Sequence, residues 1–353
     1  MTRPILGRQW RIVARHFRVF SQNQQKLCTV AGPSAERPTL ESGGLSREEM
    51  VKDLCSSIIH EDDHMVVFNK AVGIRVSGEQ GGGTEEERAH RSQSVQDVLP
   101  ELCEKLRCSE LDIATPMSRN HSGVLILTKS QDLKRKLMKS LYTAQIQKEL
   151  YQNYLLISVG LPTCNHNGIQ TLYMRREKIG EDYLTLPESE PSKFSRKKGD
   201  VKQALFQMNI ISESQRADCA LVSLNTNRAK WDSAEVFMTR TLAPVLGDHT
   251  YSNRVASVLG VPLHVSPRNV SPAPQRLPKA ICQSLGVLEH ETEGIPLHLH
   301  RHRIHIQRFP FKTAPSLELK APLPQFFIDT LKKLEIQITD SEMKRLVCDT
   351  NGS

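Results

Sequence analysis

Several absences narrow what this 353-residue chain can be. Its eight cysteines, at 28, 55, 103, 108, 164, 219, 282 and 348, include no Cys-x-x-Cys spacing. Neither a zinc ribbon nor a dithiol redox site is therefore spelled out, and the thiols read as reduced and mostly buried. No apolar run approaches the ~20 residues of a membrane span. The triple glycine Gly81-Gly82-Gly83 is not followed by Gly-Lys-Ser/Thr, which removes the phosphate-loop reading and leaves a flexible loop. With no glycine fingerprint and no metal-ligand spacing, a cofactor-dependent metabolic enzyme finds no support. No cofactor and no metal are expected.

One absence is informative in itself. Residues 1–35 contain no Asp or Glu; the first acid is Glu36. Arginines stand at 3, 8, 11, 15 and 18. On a helix of 3.6 residues per turn, Leu6, Trp10, Val13, Phe17 and Phe20 share one face, with Arg8, Arg11, Arg15 and Arg18 opposite. An amphipathic, Arg-rich, acid-free N-terminus has the composition of a mitochondrial presequence, here 1–35, with cleavage somewhere in 20–45. A basic surface helix or lipid anchor is the plainer alternative. Residues 36–56 read as a linker, with disorder expected over 29–50. The chain as a whole carries 47 Lys and Arg against 39 Asp and Glu, a net charge of +8 that suits a polyanionic partner.

The body reads as strands in adjacent groups with few helices between them. Ile58-Ile59, an acidic turn, then Met65 to Phe68 predict strand, turn, strand, closed by a loop at 69–73. Ser94 caps a helical pattern to Leu106, Val124 to Leu127 is a buried strand, and Ser130 opens an amphipathic helix. Tyr154 to Val159 is a second buried strand. Residues 184–200 read as a surface loop, strands are expected at 203–211 and 218–225, and a Pro-rich excursion at 252–280. Alternation over Leu297 to His302 marks a strand with a polar face, and a last helix is expected to start at Asp329. This grouping predicts an α+β fold with a mixed, largely antiparallel sheet rather than a doubly wound one.

The order of these segments over residues 57–335 resembles the RluA-type pseudouridine synthases. "IIHEDDHMVVFNKAVGIRV" (58–76) is similar to that family's entry hairpin and Asn-Lys-Pro-x-Gly loop, with Ala71 in place of proline. "SRNHSGVLILTKS" (118–130) resembles the motif written H-R-L-D-x-x-T-S-G with its apolar strand. "YLLISVG" (154–160), "PVLGDHTYS" (244–252), "LHRHRIHI" (299–306) and "LKAPLPQFF" (319–327) resemble its later landmarks. The resemblance implies a bipartite sheet with flanking helices, without the S4 module that often precedes it, and a C-terminal tail at 336–353. It also implies uridine-to-pseudouridine isomerisation in a flipped-out nucleotide of mitochondrial mRNA or rRNA. The setting it implies is the mitochondrial matrix, with a monomer working beside other mitochondrial RNA-processing proteins.

The site residues follow from that resemblance and depart from it. The family's catalytic Asp falls at Ser118, and its His-Arg-Leu at Thr115-Pro116-Met117. The family's Arg falls at Glu235, and its base-packing Tyr at Tyr154, with Arg119 and Lys70 as further substrate-binding candidates. A serine hydroxyl is a weak nucleophile without a neighbouring base. A Ser118–His121 pair would supply one. Loss of both Asp and Arg avoids stranding a buried charge, which implies a fold that survives without the chemistry, as an RNA-binding or assembly factor. A reversed arrangement would set Glu235 against Arg119 or make it the carboxylate. The plainer and preferred reading leaves Glu235 an exposed helical acid. Basic groups at Lys134, Arg135, Lys136 and Lys139, at Arg175, Arg176 and Lys178, and at Lys193, Arg196, Lys197 and Lys198 are candidates for phosphate contact. His298, His300 and His302 share one strand face, where the resemblance implies no metal.

Overall fold

In the computed structural model, the described residues are 46–77, 93–163, 168–179, 182–270, 272–339, 342 and 346. The presequence reading of 1–35 and the glycine loop at 81–83 lie outside them.

The first described element corrects the linker expectation. Helix α1 (Arg47–Ser56) starts in a reciprocal cap, where Ser46 accepts from the Glu49 N–H and the Glu49 carboxyl accepts from the Ser46 N–H. Met50, Val51 and Leu54 are buried, so these residues belong to the fold and not to a joint. The tail boundary shifts likewise: Ile336 is buried, and Ile338 and Leu346 pack against the same cluster.

An eleven-stranded sheet follows. Its strands are β1 (Ile58–Glu61), β2 (Met65–Lys70), β3 (Asp112–Ile113), β4 (Ser122–Thr128), β5 (Gln152–Val159), β6 (Gln170–Ile179), β7 (Asp182–Glu188), β8 (Val201–Ser214), β9 (Cys219–Thr226), β12 (Leu299–Ile306) and β13 (Leu317–Lys320). The order is β1-β2-β4-β12-β5-β9-β8-β6-β7, with β3 on β4 and β13 on β12. A separate hairpin pairs β10 (Val255–Val258) with β11 (Val261–His264). Among the described pairings of these strands, β4 with β12 is parallel and the rest antiparallel. That parallel seam joins the two halves. The expected segment at 184–200 is instead the end of β7 and a short helix, and β2 runs through Lys70 where a loop was expected at 69–73.

The helices are α2 (Leu99–Lys105, after a 3-10 turn at Val95–Val98), α3 (Gln131–Ile146), α4 (Lys193–Lys198), α5 (Ser233–Arg240), α6 (Lys279–Leu285) and α7 (Gln325–Lys333). Ser130 caps α3 through the Leu133 N–H.

Strands β4 and β5 are buried along their whole length, which is why 124–127 and 154–157 read as apolar runs. Leu125 and Leu127 enter a cluster with α1 and α2; Val124 and Ile126 enter another with α3 and β13. Tyr154 and Leu156 face α5, while Leu155 and Ile157 face α6 and α7. The period-2 alternation thus feeds four clusters, two on each face.

Candidate functional site

The seam brings one row of residues together. Lys70 on β2 pairs in register with Gly123 on β4, Gly123 with Arg301 on β12, Arg301 with Tyr154 on β5, and Tyr154 with Leu224 on β9. Residues directly opposite each other point to the same face, so this row passes from the apolar core at Leu224 to two cations. Gly123 is required at its centre. Its φ is +109°, and a Cβ there would meet the Arg301 carbonyl oxygen at 2.2 Å.

Burial makes the row chemically unusual. It pushes the Tyr154 phenol up to about 12. Burial, with Arg301 and Arg119 nearby, lowers Lys70 to about 7. Each Lys70 donor finds a main-chain carbonyl: Ala71 at 2.8 Å, Ile74 at 3.0 Å and Arg119 at 3.2 Å. Arg119 in turn donates through Nε to the Gly73 carbonyl at 3.0 Å, and Gly73 N–H donates to the Arg119 carbonyl. Lys70 therefore staples the 71–74 loop to the 118–121 loop.

Above the row lies an acidic group carried by α5 and its approach. Glu235 is buried, and its Oε1 sits 2.6 Å from His121 Nε2; its Oε2 has no partner. The expectation of an exposed helical acid is thus overturned, because every residue of α5 from Ser233 to Thr239 is buried. The partner is His121 rather than Arg119, and the His121 ring is turned to Glu235 rather than held by Ser118. Asp232, whose pKa burial and Glu235 raise, accepts from the Tyr251 hydroxyl at 2.7 Å. It follows Trp231 in a second left-handed backbone position (φ +47° after +69°), strain of the sort that accumulates at working sites.

The Gly-Asp corner explains itself locally. Asp248 Oδ1 accepts the Thr250 and Tyr251 N–H groups at 2.9 and 2.8 Å, closing the turn that aims Tyr251 at Asp232. Burial, with Glu235 beside it, pushes the Asp248 carboxyl up to about 7. A Cβ at Gly247 would lie 2.1 Å from the Pro296 carbonyl oxygen, so the corner packs directly on the strand leading into β12.

His298, His300 and His302, on β12 and just before it, are structural partners. His300 Nε2 faces the Ala321 carbonyl at 3.1 Å, which makes that nitrogen the donor. Its Nδ1 then accepts the Ser122 hydroxyl at 2.9 Å, and burial lowers the ring to about 3. His302 shares the same carbonyl at 2.8 Å, and His298 bonds the Thr330 hydroxyl at 2.9 Å.

No family model matches the chain. A human protein named mitochondrial mRNA pseudouridine synthase RPUSD3 is 30% identical over 315 residues, spanning 88% of this chain and 86% of that protein. The chain belongs to the RluA-type pseudouridine synthase family. A zebrafish protein named pseudouridylate synthase RPUSD4, mitochondrial, is 25% identical over 306 residues, covering 82% of this chain and 76% of its own. The solved structure titled human RNA pseudouridylate synthase domain containing 4 superposes with a TM-score of 0.62 at 22% identity. It covers 83% of this chain and 98% of its own, and shows the same α+β fold.

Within the synthase framework, Ser118, Arg119 and Asn120 form an exposed loop directly before β4. Tyr154 lies in the row below. Arg301, Asp232, Asp248 and the Ser122–His300 bond were missed by sequence reasoning. The His-Arg-His alternation of β12 was the available signal for Arg301. Of the basic candidates, Lys134 pairs with Asp112, Arg135 and Lys136 with Asp132, Arg175 with Glu188, and Lys198 with Asp200.

Proposed function

We propose that this protein binds mitochondrial mRNA or rRNA in the matrix and isomerises a uridine in it to pseudouridine, with Glu235 supplying the carboxylate. The observation that carries the reading is the buried Glu235–His121 bond at 2.6 Å. The family's Asp on the loop and Arg on the helix have been replaced by a base on the loop and an acid on the helix. One carboxyl oxygen is oriented by His121 and the other is unpartnered, as a nucleophile or base beside the ribose requires. In the reaction the N1–C1′ bond breaks and a C5–C1′ bond forms. The C5 proton leaves and N1 gains one, so the formula is unchanged. The relatives' names support mitochondrial RNA as substrate; the buried Arg301, with two nitrogens that meet no acceptor, supports a polyanion. No cofactor enters this chemistry. The protein would act as a monomer, alone or beside other RNA-processing proteins.

The exposed Ser118 hydroxyl at the family's carboxylate position favours a second reading, in which the fold binds RNA without modifying it. Pseudouridine mapping of mitochondrial transcripts incubated with the purified protein separates the two. Wild type and Ser118→Ala should both form pseudouridine, and Glu235→Gln should form none. RNA binding with no pseudouridine from wild type would establish the second reading. An active Glu235→Gln would remove Glu235 from the chemistry.

A further inference from the structure

Arg301 is 2% exposed, yet its Nε and Nη2 meet no acceptor. Such a group is costly. An unpaired buried charge is retained where something else completes it. Among the described residues no carboxyl lies within ion-pair distance of this guanidinium. Its polar neighbours are Tyr154, Tyr151 and Lys70, two phenols and another cation. Burial lowers its affinity for a proton, against the pull of the two phenols, and an incoming anion would raise it again.

The two orphaned nitrogens are chemically specific. Nε and Nη2 form one edge of the guanidinium, with parallel N–H bonds that match two oxygens on a single atom. A carbonyl or a base edge with a donor between its acceptors would satisfy one of them. The tetrahedral phosphodiester, with two unesterified oxygens, satisfies both. Basic groups lie between the surface and Arg301. Arg119 is exposed in the loop immediately before β4, lies within electrostatic reach of Lys70, and Lys70 within reach of Arg301. Lys70, with all its donors engaged by carbonyls, leaves the hydrogen bonds to Arg301.

We propose that the Nε/Nη2 edge of Arg301 is a phosphate anchor, taking both unesterified oxygens of one phosphodiester of the bound RNA beside Tyr154. The anchor rests on the reading of RNA as substrate, deepens it, and fixes where the backbone of the flipped nucleotide sits relative to Glu235.

The test is Arg301→Met in the full chain, with Arg301→Lys as the conservative partner. Arg301→Met should bind a mitochondrial RNA oligonucleotide at least tenfold more weakly. The slope of log affinity against log salt should fall by about 0.7, the loss of one single-strand phosphate contact. The same variant should unfold at a higher temperature than wild type, because it removes a charge with no internal partner; a structural arginine would give the opposite sign. Arg301→Lys should keep the salt slope and lose affinity, since one point charge cannot make the fork. Neutralising RNA linkages one at a time as methylphosphonates should identify one linkage that weakens wild type and leaves Arg301→Met unaffected. Wild-type affinity and slope in Arg301→Met, or a lower unfolding temperature with unchanged affinity, would overturn the anchor. If wild type binds no RNA, the RNA reading falls separately. Arg301 then stands as a phosphate site apart from RNA if inorganic phosphate raises the unfolding temperature of wild type and not of Arg301→Met, and the proposal falls if it does not.

Discussion

The His121–Glu235 bond gives the sharpest stability prediction, because both side chains are nearly sealed from water at 8% and 6% exposure. Solvent screening that reduces surface pairs to a fraction of a kcal/mol therefore does not apply. His121→Ala leaves Glu235 with neither carboxyl oxygen partnered, as Oε2 already has none. Stranding one member of a buried pair costs about 3–5 kcal/mol. Glu235→Ala should cost a similar amount by stranding His121. Replacing both by Leu removes the orphan along with the bond, and the double variant should recover most of that loss, ending within about 2 kcal/mol of wild type. Glu235→Gln keeps an amide oxygen for the ring nitrogen and should cost about 1 kcal/mol, which is why it suits the activity assay. Urea unfolding followed by fluorescence and circular dichroism gives the four values. Single losses under about 1 kcal/mol would refute the claim that the two groups depend on each other.

Other expectations follow from the same geometry. Gly123→Ala must force β4 and β12 apart at a position of φ +109°, and should lower stability by about 3 kcal/mol or more, read by urea unfolding, if it folds at all. Asp248 binds its proton more tightly folded (about 7) than unfolded (3.8), so its contribution to stability falls as pH rises from about 4 to 7. Asp248→Asn should accordingly gain on wild type across that window, by up to about 4 kcal/mol, in unfolding measured at several pH values. Replacing Arg8, Arg11, Arg15 and Arg18 by Glu should leave a tagged protein outside mitochondria in fractionated cells; unchanged import would end the presequence reading.

What the sequence made legible is what short-range physics decides. The runs at 124–127 and 154–159 announce strands buried on both faces, and Ser94 and Ser130 announce caps, because those signals are complete within a few residues. Helix α1 was missed for want of weight on a signal that was present: Ser46 and Glu49 spell a capping box, yet the surrounding Gly, Ser and Glu read as linker. Glu235 was misjudged for a different reason. An exposed face is inferred from a polar stripe, and α5 has none to compare, being enclosed on every side by β7, the Gly-Asp corner and the sheet. Depth of that kind is set by which strands pair, and pairing is invisible to periodicity.

The same limit explains why the row through Arg301 could not be read in advance. Lys70, Gly123, Arg301 and Tyr154 are far apart in sequence and meet because β4 and β12 pair in parallel at Ser122–Gly123 and His300–Arg301, with one specific register. A shift of one residue would turn Arg301 to the opposite face, His300 into the row, and break the Ser122–His300 bond. Gly123 holds that register from one side by admitting the Arg301 carbonyl where no side chain fits, and the shared Ala321 carbonyl holds His300 and His302 from the other. The seam is therefore fixed by devices whose effect is to keep an unpaired guanidinium on the face of Glu235 and Tyr154. A fold that needed this seam only for stability would be better served by an apolar residue at 301. On the phosphate anchor proposed above, the register serves the ligand as well as the fold.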